Sequence, residues 1–99
     1  MYIGSLEVRL YLRGSQTLKD KRQVVRSVLD RIKKNFGVAA TEVQNRDDVK
    51  MIVLGFATVQ AESELASSLL EQIENAVRHH PEAQFLSARH DVRSFEDLF

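Results

Sequence analysis

Hydrophobic positions along this chain recur at a spacing of two in some stretches and of three to four in others. Leu6, Val8, Leu10 and Leu12 alternate with Ser5, Glu7, Arg9, Tyr11 and Arg13, the period of a strand with one face on a core. Gly14 and Ser15 break that pattern. Thr17-Leu18-Lys19-Asp20 then reads as a helix start, with Thr17 accepting from amides of the first turn. Leu18, Val25, Val28, Leu29, Ile32 and Phe36 form one apolar stripe, which predicts a helix over about 18–35, stopped by Asn35 and Gly37. Val38 to Gln44 predicts a second, weaker strand, and Asn45 to Asp48 a polar hairpin turn. Met51 to Gln60 is apolar at both parities, as a central strand would be. Glu62 to His79 carries Leu65, Leu69, Ile73, Ala76 and Val77 on one stripe and predicts a second helix, closed by Pro81. Phe85 to Val92 predicts a fourth strand. Residues 93–99 form a tail that holds Phe95, Leu98 and Phe99.

Strand, helix, strand, strand, helix, strand is the order of a ferredoxin-like α+β sandwich, βαββαβ. The expected architecture is a four-stranded antiparallel sheet with both helices on one face, formed by a single domain over residues 1–92. The opposite face of the sheet is left open, and function is expected there or at the helix ends beside it.

Composition narrows the function classes. Ninety-nine residues suffice for one core that needs neither metal nor disulfide. The absence of cysteine excludes thiolate catalysis, iron–sulfur ligation and cysteine zinc sites. The longest uncharged run, Met51 to Ala61, is far short of the ~18 residues of a membrane span. No basic-then-apolar leader precedes the first strand, so a cytoplasmic protein without a membrane partner is expected. Net charge is zero but unevenly spread. Residues 1–50 carry 11 Lys/Arg against 6 Asp/Glu, a net of +5, and residues 51–99 carry 3 against 8, a net of −5. Such an asymmetry suits either an anionic partner or two halves that attract each other.

The basic half concentrates at the start of the first helix. Lys19, Lys21 and Arg22 stand where the helix macrodipole is positive, offset by Asp20 alone, and Arg13 enters the same loop from the strand. Lys19, Arg22, Arg26 and Lys33 fall within about 60° on a helical wheel. This is a candidate site for an anion or for nucleic-acid backbone; the plainer reading is a solvated charged face. On the open sheet face, Leu10-Tyr11-Leu12 and Gly55-Phe56-Ala57-Thr58-Val59 partly resemble the strand motifs on which RNA-recognition domains stack bases. Tyr11 and Phe56 are therefore candidate stacking groups. Alternatively Ile52, Leu54 and Phe56 form an outward apolar patch for a second subunit, and a homo-oligomeric or protein-interaction module that uses this face, the strand edges or the Phe95–Phe99 tail is an equal expectation.

Catalytic candidates are few. Acylphosphatases have this strand order and an arginine in the first loop, so Arg13 and Asn45 can be cast as phosphate binder and water positioner. Arg13-Gly14-Ser15-Gln16 is not the glycine-rich loop that role requires. His79 and His80 point about 100° apart on a helix and do not share a metal. Ser63, Ser67 and Ser68 have no histidine at an interpretable spacing. No catalytic residue, metal or cofactor is expected.

Thr17-Leu18-Lys19-Asp20-Lys21-Arg22, then Val24-Val25-Arg26, Val53-Leu54-Gly55 and the His80-Pro81-Glu82 turn, resemble the YlxP-like family of small bacterial proteins, a domain of unknown function. The resemblance covers about residues 1–92 and centres on the Lys-x-Lys-Arg run. It implies a ferredoxin-like fold and supplies no catalytic residues. Genes of that family commonly neighbour translation-initiation and ribosome-maturation genes, which implies an RNA or ribosomal-particle setting. The expected function is thus a non-enzymatic protein that contacts RNA through Arg13, Lys19, Lys21, Arg22, Arg26 and Lys33.

Overall fold

The computed structural model describes residues 1–14 and 17–98. Ser15, expected with Gly14 to break the first strand, Gln16 of the same loop and the tail residue Phe99 lie outside them. The elements are β1 (Tyr2–Tyr11), α1 (Leu18–Phe36), β2 (Ala39–Gln44), β3 (Met51–Gln60), α2 (Ser63–Arg78), β4 (Gln84–Ser94) and a closing 3-10 turn, Phe95–Leu98. Among the described residues the strands form one antiparallel sheet in the order β2-β3-β1-β4. This is the ferredoxin-like βαββαβ fold.

Local chemistry explains the boundaries. Thr17 is extended, and its Oγ1 accepts from the Asp20 N–H at 3.1 Å, which caps α1 as its sequence position requires. Gly37 ends α1 at φ 63°, a left-handed conformation open to glycine, and its N–H returns to the Lys33 carbonyl at 2.9 Å. Strand β4 runs to Ser94, beyond the Val92 limit expected from hydropathy. Its pairing with β1 continues to Tyr2↔Ser94, and the Phe95 N–H reaches the Met1 carbonyl at 2.9 Å. Backbone pairing, not apolar side chains, carries the strand that far.

The core lies between the helices and one face of the sheet. Leu6, Val8, Leu10 and Leu12 of the first strand segment meet Val25, Val28 and Ile32 of α1 and Leu70, Ile73 and Val77 of α2. Strand β3 corrects the expected arrangement. The register pairs Leu6 with Phe56, Val8 with Leu54 and Leu10 with Ile52, and directly opposed residues share a face. Ile52, Leu54 and Phe56 therefore point into the core, where they are 0–3% exposed, and are not an outward patch. Tyr11 pairs with Met51 on the opposite face. Tyr11 and Phe56 stand on different faces of the sheet and do not form a stacking platform.

Candidate functional site

Two surfaces carry the candidate residues: the exposed side of α1 with the loop before it, and the uncovered face of the sheet. On α1 the residues separate by helical angle. Lys19, Arg22, Arg26 and Lys33 are all exposed, and the side chain of none makes a hydrogen bond or ion pair among the described residues. Lys19 to Arg22 is a step of three and Arg22 to Arg26 a step of four, so like charges adjoin along the helix, a spacing that destabilises an isolated helix.

Lys21 belongs elsewhere. It occupies the buried stripe one turn before Val25, and its relative exposure is 0%. Its Nζ lies 2.9 Å from Oε2 of Glu42, in an ion pair off the line of a hydrogen bond, and donates to the Asn45 carbonyl. Glu42 faces the helices from edge strand β2, opposite Leu54, and its side chain is 12% exposed. The Lys21 ammonium thus ties α1 to β2 and to the turn after it, where Asn45 sits at φ 58°. It is removed from the anion-binding candidates, because a fully enclosed cation with its own carboxylate offers nothing to an external anion. Its spacing from Val25 and Val28 carried that signal; Glu42, its partner, was legible only as an even-numbered position of a strand whose register was unknown.

Arg13 is exposed, and its Nε donates to Gln84 Oε1 at 3.0 Å; its carbonyl accepts from Lys50 Nζ at 3.0 Å. It lines a recess of about 850 Å³ between the start of α1 and the turn before β4, together with Asp20, Gln23 and Glu82. Two carboxylates against one guanidinium make this recess a mixed polar cleft and not an anion cradle. Arg13 is thereby set apart from the α1 stripe. His80, at the same end of the molecule, accepts the Glu82 N–H on Nδ1 at 3.2 Å. Burial, then the positive field of Arg31, lower its pKa below the ordinary histidine value.

The open sheet face is polar and charge-paired. Glu7 Oε1 receives Arg9 Nη2 at 3.3 Å and Arg89 Nη2 at 3.5 Å, and Arg93 Nε sits 2.6 Å from Asp91 Oδ2. Arg9 also donates to Gln44 Oε1 at 3.2 Å. Arg9 and Gln44 are the two cross-strand neighbours of Val53. Their hydrogen bond spans Val53, which is 0% exposed although it faces away from the helices. Small residues at Ser5, Gly55 and Ala57 leave a trough of about 860 Å³ across the middle of this face. Val43 leans over Gly55: a Cβ there would lie 2.7 Å from Val43 Cγ1. None of these polar positions was singled out from the sequence, because alternation marks them only as solvent-facing.

Among the described residues, no group of three or more His, Asp or Glu side chains is placed to hold a metal ion, and no helix is long and apolar enough to cross a membrane.

A family model described as "Protein of unknown function (DUF503)" matches residues 3–90. No curated protein matches the chain. Among solved structures, the chain is similar to a Chloroflexus aurantiacus J-10-fl protein named as an antibiotic biosynthesis monooxygenase, with 16% identity, 93% of each chain covered and a TM-score of 0.55. It is also similar to SnoaB, a cofactor-independent oxygenase from Streptomyces nogalater, with 16% identity, 95% of this chain and 93% of that one covered, and a TM-score of 0.48. A de novo designed protein with ferredoxin fold, LFR1 1, has 18% identity over 95% of this chain and 87% of its own, with a TM-score of 0.43. At these identities the likeness is one of fold.

Proposed function

The chain belongs to the DUF503 family of proteins of unknown function, and on that footing we propose that it is a non-enzymatic cytoplasmic protein that contacts structured RNA, on its own or within a ribosomal particle, along the exposed face of α1. The observation that carries this reading is the stripe Lys19, Arg22, Arg26 and Lys33: four solvent-facing cations with no carboxylate partner among the described residues. Stacking by Tyr11 and Phe56 is no part of it, nor is Lys21. The resemblance to YlxP-like proteins supports the same setting.

Phosphate contacts by this stripe release counterions, so affinity should fall with salt at a log–log slope of about −3 for four contacts. The test titrates a fluorescein-labelled RNA hairpin at two salt concentrations with the native protein and with R22E/R26E. The double variant should weaken binding at low salt and flatten the slope by about 2. An unchanged affinity in a double variant that melts like the parent eliminates this face.

A second reading is self-association. One observation favours it: β4, eleven residues long, forms an edge of the sheet and among the described residues has a strand partner on one side only.

A further inference from the structure

We infer that a second copy of the chain adds to this edge, pairing β4 antiparallel with its own counterpart about His90, to make one continuous sheet. The inference rests on the self-association reading and names its surface.

An open edge presents a row of unpaired N–H and C=O groups, and proteins blunt such edges with charges that repel a second strand. Strand β4 carries charges of alternating sign: Arg89, Asp91 and Arg93. Its geometry limits where a partner can lie. The pairing with β1 is irregular at Leu86, where Arg9↔Ser87 is followed by Leu10↔Phe85, and the strand ends at Ser94. The regular stretch between the irregularity and the strand end is 87–94, and His90 and Asp91 are its two central residues. Symmetric pairing about His90 places Arg89 opposite the second copy's Asp91, twice by symmetry. Ala88 then meets Val92 of the second copy on the helix side of the sheet. Both are half-buried apolar residues already packed against the core.

Neighbouring symmetric registers fail on charge. Centring on Arg89 opposes two arginines, and centring on Asp91 opposes two aspartates and sets Arg89 against Arg93. The Arg89 side chain is 81% exposed, held among the described residues by a 3.5 Å contact with Glu7, and is free to reach across the seam. The other edge strand, β2, has six residues and an irregularity between Glu42 and Gln44. It offers a partner a shorter template.

Symmetric antiparallel pairing sets the two His90 Cα atoms about 4.5–5.5 Å apart, within the range a disulfide spans. Because the chain has no cysteine, H90C is a single-thiol probe. The experiment measures sedimentation at several concentrations for the native protein, R89D, D91R and R89D/D91R, with mild oxidation of H90C analysed alongside. The native protein should dimerise, and each single reversal should weaken the dimer about tenfold by opposing like charges. The charge swap R89D/D91R should restore it, and H90C should cross-link into a covalent dimer. Rescue by the swap excludes misfolding as the cause of the single-variant losses. A dimer that ignores both reversals, with H90C uncrosslinked, overturns the β4 seam and leaves self-association through another surface. A native protein that stays monomeric at every concentration overturns the seam and the self-association reading together.

Discussion

Replacement of Lys21 by methionine isolates what the buried cation does. Methionine keeps most of the side-chain volume inside α1's apolar stripe, so the loss is that of charge and hydrogen bonding. Glu42, 12% exposed at its side chain, would be left without its counter-ion, and the Asn45 carbonyl without its donor. Orphaning one member of a buried pair costs about 3–5 kcal/mol. Glu42 retains a thin path to solvent, which places the expected loss near about 3 kcal/mol. A domain of this size loses about 4–8 °C in Tm per kcal/mol, so K21M should melt about 12–24 °C below the parent. E42Q should fall on the same scale. The double variant K21M/E42L should recover to within about 1 kcal/mol of the parent, because removing both charges also removes both desolvation penalties. Urea unfolding followed by circular dichroism gives the coupling energy, expected to exceed about 2 kcal/mol. A loss below about 1 kcal/mol in K21M, or strict additivity in the cycle, would refute the assignment of Lys21 as an internal tie. RNA affinity supplies an independent check, since K21M at a temperature where it is folded should bind as the parent does.

Two further outcomes follow from the packing and the charges. Gly4→Ala should destabilise by about 1–3 kcal/mol in urea unfolding, since a Cβ there would lie 3.1 Å from Thr58 Cγ2 and 3.2 Å from Leu70 Cδ1 inside the core; a neutral variant would show that α2 can withdraw from the sheet at this point. His80 has its folded-state pKa lowered from 6.5 by burial and Arg31, so the folded state resists protonation more than the unfolded chain. Stability is then full above the unfolded value near 6.5 and lost as pH falls through the lower folded value. Urea midpoints should drop across that window in the parent and drop less in H80N; equal slopes in the two proteins would show that His80 does not govern this range.

The polymer's local code determined much of what is observed. Strand and helix order, the Thr17 cap, the Gly37 stop and the apolar stripe of α1 follow from residue spacing, because each depends on neighbours within a few positions. On α2 the spacing puts Leu65 on the core stripe, whereas Leu65 is 52% exposed and Ala66 and Leu70 are buried beside Ile73 and Val77. Face assignment in β3 does not follow from spacing either. Met51 to Gln60 is apolar at both parities, so period two cannot say which set faces the helices; the register Leu6↔Phe56 does, and it is a contact across fifty residues. The same limit explains Lys21. Its helical angle matched Val25 and Val28, yet a lysine there is stable only if another element delivers a carboxylate, and Glu42 arrives from β2 by sheet pairing. The exposed cations of α1 could be read from the linear chain, since a helix fixes their mutual angles unaided. The polar weave of Glu7, Arg9, Gln44 and Arg89 over the sheet, and the edge position of β4, exist only once strands from both ends of the chain lie side by side.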